Sequence, residues 1–465
     1  MTPSMTHPTA IGIDFDQGTL AVHAHAEQAA ILADYLTWDP RCGYYRAEAS
    51  HYAPILLTLH RLGLPFRDGA RAFQRHTFVR HDDPPPRPHQ QAAMAGWIGA
   101  DHRGVVVLPT GAGKSLVARL AIARIGRDTL VVVPTLDLMH QWYEQLSRVF
   151  RLPVGLLGGG EHTLEAITIA TYDSATLYMH RLGNRFGLLI CDECHHLPSL
   201  STRVAAQFCI APFRLGLTAT PERNDGGEKS FDHLLGPICH RSEITDLEGR
   251  YLAPYELIHV AIQLDDDERE AYDVAYERYR AFARENRIVF RTPADWSKFM
   301  QVCARSREGR EAFTAWRFAR GLAKASRAKL RTLWTILCRH RQQQVILFTD
   351  DNATAYTIGE TFFLPVITHH TKISERKTLL TAFREGKVNC MVTSRVLNEG
   401  VDVPEVAVGI VVSGSGSVRE HVQRLGRILR PGPDKRAVLY ELVSEDTGET
   451  FTSVRRRQHA AYQRE

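Results

Sequence analysis

Between Gly104 and Ser115 the chain reads Gly-Val-Val-Val-Leu-Pro-Thr-Gly-Ala-Gly-Lys-Ser. The apolar run Val105 to Leu108 reads as a strand, the glycine-rich stretch as a turn, and Leu116 to Ile125 as a helix. In a strand–turn–helix of this kind successive backbone N–H groups converge on one concavity. The helix dipole adds positive potential there, so the expected ligand is a nucleoside polyphosphate. Thr110, Gly111, Ala112 and Gly113 would form the cradle, Lys114 would reach the β and γ phosphates, and Ser115 would hold Mg²⁺. Leu108 stands where the general pattern has glycine, so the match is to the six-residue core.

A second chemical feature closes the apolar run Leu188 to Cys191, where Asp192, Glu193, Cys194 and His195 follow one another. In a phosphate-loop protein one carboxylate at such a strand end serves Mg²⁺ and another polarises the attacking water. Asp192 is assigned to the metal and Glu193 to the water. Cys191 and Cys194 form a Cys-x-x-Cys with no second pair nearby, and the eight cysteines are scattered, so reduced thiols are expected rather than zinc ligands or disulfides. Further on, Gln423-Arg424-Leu425-Gly426-Arg427-Ile428-Leu429-Arg430 places Arg427 and Arg430 three apart, on one face if helical. Either they stabilise charge on a transferring phosphoryl group or they form a solvated basic helix end.

These groups need a scaffold. From Arg87 short apolar segments alternate with helical patterns: Val105 to Leu108, Thr129 to Val133, Ile167 to Ala170, Leu188 to Cys191 and Arg214 to Leu217. Such alternation predicts an α/β domain with a parallel sheet, helices on both faces, and ligands at the strand C-terminal ends. A second set, Gln344 to Phe348, Val366 to Thr368, Asn389 to Thr393, Ala407 to Val412 and Ala437 to Leu442, predicts a second such sheet. Residues 265 to about 340 read as helix. Before residue 80 the pattern is mixed, with helices expected near Ala26 to Leu36 and Ala53 to Leu62 and a strand at Leu20 to Ala24. Pro84, Pro85, Pro86 and Pro88 then form a stiff stretch that marks a boundary near residue 83. The expected division is 1–82, 83–255, 256–340, 341–445 and a basic tail at 446–465.

Length excludes one compact core, and the ordinary share of charged residues, 23%, excludes wholesale disorder. The apolar runs are too short to span a membrane and Met1 to Ala10 lacks the pattern of a secretory signal, so a cytoplasmic protein with no membrane partner is expected. Net charge is +5, but residues 278–341 hold seventeen Lys/Arg against four Asp/Glu, a local +13 in a chain that is otherwise −8. A localised basic block predicts a polyanion, with nucleic acid the foremost class. Phe282, Phe290, Trp296, Phe299, Phe313, Trp316, Phe318 and Trp334 are interleaved with those charges. About three quarters of these rings are expected in the core, leaving the cations to grip phosphates.

Taken in order, these motifs resemble those of a superfamily 2 helicase. Thr110 to Ser115, Pro134 to Leu138, Ala170 to Ser174, the Asp-Glu-Cys-His box, Thr218-Ala219-Thr220, Arg395 to Pro404 and Gln423 to Arg430 follow the family's sequence of motifs. Within it the chain resembles the XPB type through its Gln-Arg-Leu-Gly-Arg-Ile-Leu-Arg stretch, its small N-terminal region and its basic helical insert. The resemblance implies two RecA-like parallel-sheet domains in tandem, a small N-terminal α/β domain similar to a damage-recognition domain, and a thumb-like basic helical insert. It further implies ATP and Mg²⁺ as cofactors, Gln90 at the adenine, Asp402 at the ribose or the partner domain, and Gln423 near the γ-phosphate. His195, Thr218 and Thr220 would couple hydrolysis to movement, and Thr135, Arg223, Asp225, Arg305, Arg307 and Arg317 would touch DNA. Asn224 stands where the family's Arg-Glu-Asp element has glutamate, which removes one negative charge. The implied activity is an ATP-dependent 3′–5′ DNA helicase of repair or transcription-related opening, on duplex, forked or single-stranded DNA. Two alternatives stay open, a duplex translocase that does not unwind and a nucleotide-gated scaffold for a nuclease partner. RNA is not excluded by any single residue.

Overall fold

The computed structural model describes residues 10–221, 230–247, 249, 251, 253–290, 293–394, 406–414 and 437–456. Two compact units divide the chain, Met1–Asp246 and Leu247–Glu465.

The first unit begins with a small sheet of five strands, β1 (Ile11–Asp16), β2 (Thr19–His23), β3 (Thr37–Asp39), β4 (Tyr44–Glu48) and β5 (Phe66–Asp68), in the order β3-β4-β2-β1-β5. Helices α1 (Ala26–Ile31) and α2 (Tyr52–Arg61) accompany it, and α1 stops five residues short of the expected Leu36. Inward-facing Ile11, Ile13, Leu20 and Val22 meet Ile55 and Leu59 of α2. Ile210, far along the chain, completes that core.

The chain leading up to the expected boundary near residue 83 is tied to the larger sheet. His76 Nε2 lies 2.8 Å from Asp128 Oδ1, and the backbone N–H of His76 donates to the carbonyl of Gly126. Asp83, its side chain almost fully buried, pairs with Arg80 at 2.9 Å and with Arg119 at 2.8 Å. Beyond it come α3 (Pro88–Gly99), β6 (Arg103–Val107), α4 (Lys114–Ile125), β7 (Thr129–Val133), α5 (Leu136–Phe150), β8 (Gly155–Gly158), β9 (Glu161–His162), β10 (Ile167–Thr171), α6 (Tyr172–Leu182) and β11 (Leu188–Asp192). Then follow α7 (Val204–Gln207), β12 (Phe213–Thr218), α8 (Phe231–Leu234), β13 (Ile238–Arg241) and α9 (Ile244–Leu247). The eight strands order as β13-β6-β12-β11-β7-β10-β8-β9, parallel except for the β8–β9 hairpin. Every residue of β7, β10 and β11 is buried, which requires cover on both faces of the sheet.

Arg214, at zero exposure on β12, pins this layer together. Its guanidinium donates to the carbonyls of Ala211 (3.0 Å), Ala206 (3.1 Å), Leu234 (2.5 Å) and Cys209 (2.5 Å). Burial pushes its pKa down from the ordinary arginine value.

In the second unit β14 (Tyr255–Ile262) opens a six-stranded, all-parallel sheet with β15 (Val345–Phe348), β16 (Val366–Ile367), β17 (Cys390–Thr393), β18 (Val408–Val411) and β19 (Ala437–Ser444), in the order β14-β19-β18-β15-β17-β16. The segment from 256, expected to start the helical insert, is therefore an edge strand. Helices α10 (Asp266–Glu285), α11 (Pro293–Arg305) and α12 (Arg307–Lys324) form the insert, whereas α13 (Arg327–Arg339) gives Leu333 and Ile336 to the core of the sheet. Then come α14 (Asn352–Phe362) and α15 (Ile373–Arg384), and the expected basic tail begins as α16 (Gly448–Arg456). Glu449 of α16 pairs with Lys329 Nζ, whose side chain is fully buried.

Candidate nucleotide site

Three neighbouring strands, β6, β12 and β11, end side by side, and their C-terminal loops carry the residues singled out above. After β6 the chain turns through Gly111 (φ +87°) and Gly113 (φ +84°), left-handed conformations that glycine adopts without strain. Gly113 has a second constraint: a Cβ there would stand 2.3 Å from Gln90 Nε2. Gln90, buried in the first turn of α3, donates from Nε2 to the carbonyls of Ala112 (3.0 Å) and Gly113 (3.3 Å). His89 Nε2 lies 2.8 Å from the same Ala112 oxygen. Gln90, expected to read adenine, thus braces the phosphate loop, and its Oε1 accepts from the N–H of Arg87 at 2.9 Å.

Lys114 opens α4, with Nζ 3.3 Å from Glu193 Oε1. Ser115 follows on the same first turn. Asp192 ends β11 and is buried. Its Oδ2 accepts from the indole N–H of Trp142 at 2.9 Å, and its Oδ1 from the N–H of Glu193 at 3.0 Å. The Tyr172 hydroxyl donates to the Asp192 carbonyl at 3.0 Å, which fixes the backbone as well. Burial, then the neighbouring Glu193 charge, pushes the Asp192 carboxyl up to about 6 against the pull of Lys114. A carboxylate held so strongly against ionisation is stabilised by any cation placed on it.

Glu193 takes a left-handed φ of +45°, a conformation that costs a non-glycine residue on the order of 1 kcal/mol. Its Oε2 stands 3.5 Å from His195 Nδ1. His195 is fully buried and lies 3.1 Å from Thr218 Oγ1, which in turn accepts from the N–H of Thr220 at 3.2 Å. Lys114, Glu193, His195, Thr218 and Thr220 therefore form one continuous chain of polar contacts across three loops.

Thr110 Oγ1 and Thr220 Oγ1 are buried here without a hydrogen-bond partner among the described residues. Such groups are costly unless a ligand meets them. With the glycine cradle, a lysine and a buried carboxylate around them, the donor set fits a polyphosphate and its Mg²⁺. Cys191 and Cys194 contribute no charge, since burial pushes the Cys191 thiol up to about 12 and also raises that of Cys194 well above its ordinary value.

Trp142 and Tyr172 were invisible as site residues in the sequence. Trp142 shares a buried helical stripe with Met139 and Leu146, and that spacing reveals burial but not the partner 50 residues away. Thr135 caps α5 by accepting from the N–H of Leu138 at 3.2 Å, so its hydroxyl already has a structural task. Arg223, Asp225, Asp402, Gln423, Arg427 and Arg430 lie outside the described residues.

Arg305, Arg307 and Arg317 are all exposed on α11 and α12. The basic block is less naked than its composition suggested. Acidic residues at the start of α10, just upstream, fold back on it, Asp265 pairing with Arg331 and Asp267 with Arg327, and within α10 Glu277 pairs with Arg284. Glu311 pairs with both Arg278 and Arg307. Of the interleaved rings Phe299 is fully buried, Phe282, Phe290, Trp296 and Phe313 pack around it, and Phe318 and Trp334 are exposed.

A phosphate loop, an Asp-Glu strand end and a Thr-Ala-Thr turn on three adjacent parallel strands define an ATPase domain of the helicase class. The chain matches the families described as type III restriction enzyme res subunit over residues 83–223, ERCC3/RAD25/XPB C-terminal helicase over 326–464, and xeroderma pigmentosum group B helicase damage recognition domain over 13–70. It is 40% identical to the DNA 3′-5′ translocase XPB2 of Sulfurisphaera tokodaii, across 80% of this chain and 84% of that one. It is 30% identical to the DNA 3′-5′ helicase XPB of Mycobacterium tuberculosis, across 97% and 74% respectively. The chain belongs to the XPB family of DNA helicases. In fold it is similar to the helicase domain of Pyrococcus furiosus Hef, with a TM-score of 0.54 at 20% identity over 80% of this chain and 98% of that one.

Proposed function

We propose that the chain hydrolyses ATP to drive 3′–5′ movement along DNA, and that the nucleotide site after β6, β11 and β12 does the chemistry. The observation that carries this reading is the unbroken polar path from Lys114 through Glu193 and His195 to Thr218 and Thr220. Gly111 and Gly113 would present their N–H groups to the phosphates, while the Ala112 N–H closes the turn on the Pro109 carbonyl at 3.1 Å, with Lys114 leaving Glu193 to meet the β and γ oxygens. Ser115 and Asp192 would hold Mg²⁺, which neutralises charge on the phosphates as the terminal group departs. Released from Lys114, Glu193 would accept a proton from the attacking water. His195 would feel that change at once and pass it to the Thr218–Thr220 turn. Arg305, Arg307 and Arg317 would meet DNA phosphates, and Arg427 and Arg430 would supply positive charge to the γ-phosphate.

Turnover with and without single-stranded, duplex and forked DNA tests the assignment. Lys114→Ala is expected to lose hydrolysis. Glu193→Gln is expected to keep ATP binding while kcat falls by at least ~100-fold, the usual contribution of a positioned base. Equal hydrolysis by wild type and Glu193→Gln would remove Glu193 from the mechanism, and turnover indifferent to every DNA would remove the motor. A second reading is favoured by the name of the Sulfurisphaera relative, a translocase rather than a helicase. Displacement of a triplex-forming strand without separation of a forked duplex would select it.

A further inference from the structure

We propose that Glu48, His51 and His233 form a binding site for one zinc-class divalent cation, which fastens the N-terminal sheet to α8 of the first parallel sheet. One ligand atom from each residue lies within 4.8 Å of the other two. Around a tetrahedral ion with bonds of about 2.1 Å, ligand atoms stand ~3.4 Å apart, so the three need little movement to close on a cation. Glu48 Oε2 and His233 Nε2 are already 3.0 Å apart, and the His51 and His233 rings meet at 5.3 Å between centroids.

The three residues come from separate elements. Glu48 ends β4, His51 lies in the tight turn before α2, and His233 sits on α8, 185 positions after Glu48. Their donor chemistry selects the metal. Two imidazoles and one carboxylate suit zinc or its transition-metal neighbours, whereas magnesium and calcium prefer all-oxygen sets. The Ser50 hydroxyl donates to Glu48 Oε2 at 3.1 Å and so orients the carboxylate, the kind of outer support that metal-binding carboxylates have. His51 Nδ1 is shut off from solvent and has no hydrogen-bond partner among the described residues. Three protein ligands leave a fourth position for water.

The test uses the full chain, stripped with a chelator and titrated with Zn²⁺ alone against a chromophoric indicator, beside His233→Ala and Glu48→Gln. Wild type is expected to bind one Zn²⁺ more than either variant, to gain several degrees of Tm on binding, and to give a tetrahedral Co²⁺ spectrum that both variants lack. The near-isosteric Glu48→Gln guards against misfolding of His233→Ala, and both should keep the wild-type far-ultraviolet circular dichroism. Equal Zn²⁺ stoichiometry in all three proteins overturns the site, as does displacement of the bound ion by an equal concentration of Mg²⁺. The readout is independent of ATP turnover, so failure here leaves the nucleotide site untouched.

Discussion

Asp192 is held in an environment that resists its own charge. Its folded pKa, about 6, lies above the ordinary 3.8 because burial and the Glu193 charge both favour the proton. For a carboxyl raised in this way, the stabilising contribution is complete below the unfolded pKa and is lost as pH rises through about 6. Asp192→Asn should therefore raise the Tm of the nucleotide-free protein at pH 8, with the gap narrowed to about half at pH 5 and closed only below the ordinary carboxyl value of 3.8, as read by thermal melts across that range. The amide keeps only one of the two acceptor roles toward Trp142 and Glu193, which trims the gain to about 1 kcal/mol, or ~2–4 °C. A lower Tm for the variant at pH 8 would mean that those two hydrogen bonds outweigh desolvation. The cost in the wild type is the counterpart of cation affinity, since Mg²⁺ relieves the same burden.

Among the elements, β12 depends on one side chain. Arg214→Met fills similar volume but leaves four carbonyls, from Ala206, Cys209, Ala211 and Leu234, without their donor. We expect a loss on the order of 3 kcal/mol, seen as a lower urea midpoint with unchanged slope, since each buried unmet acceptor costs ~1–3 kcal/mol and some reorient. An unchanged midpoint would show that the carbonyls find other donors. The central strands beside it were legible because strands buried on both faces are continuous apolar runs, Leu130 to Val133 and Leu188 to Cys191 among them. The phosphate loop and the Asp-Glu pair were legible for the same reason, since each directly follows such a run. The small N-terminal sheet was harder to read. Its strands expose one edge or face, as in Tyr44-Tyr45-Arg46-Ala47-Glu48, where only Ala47 is buried. Likewise β14 carries Glu256 and His259 as an edge strand, and offered no continuous run to mark it. Charge was misleading for another reason. Counting from residue 278 omitted the acidic first half of α10, which the fold brings back against the arginines.

At the scale of the first unit, the N-terminal sheet and the larger parallel sheet share more than a linker. Ile210 belongs to the small core, and the loop that carries it also holds Cys209 and Ala211, whose carbonyls bind Arg214 in the large one. Asn184 accepts from the N–H of Ala72 through its carbonyl and donates from Nδ2 to the carbonyl of Ala70, and a Cβ on Gly18 would strike the Phe208 ring at 2.5 Å. A sheet of so few buried residues is marginal by itself. Because one short loop is an internal part of both cores, neither can melt and leave the other intact. Residues 10–246 should behave as a single cooperative unit, giving one calorimetric transition, and amide protons of β1 and β7 should exchange through the same global opening. Earlier exchange of β1 alone would break that link. A fold that reads as two modules along the chain would then be thermodynamically one.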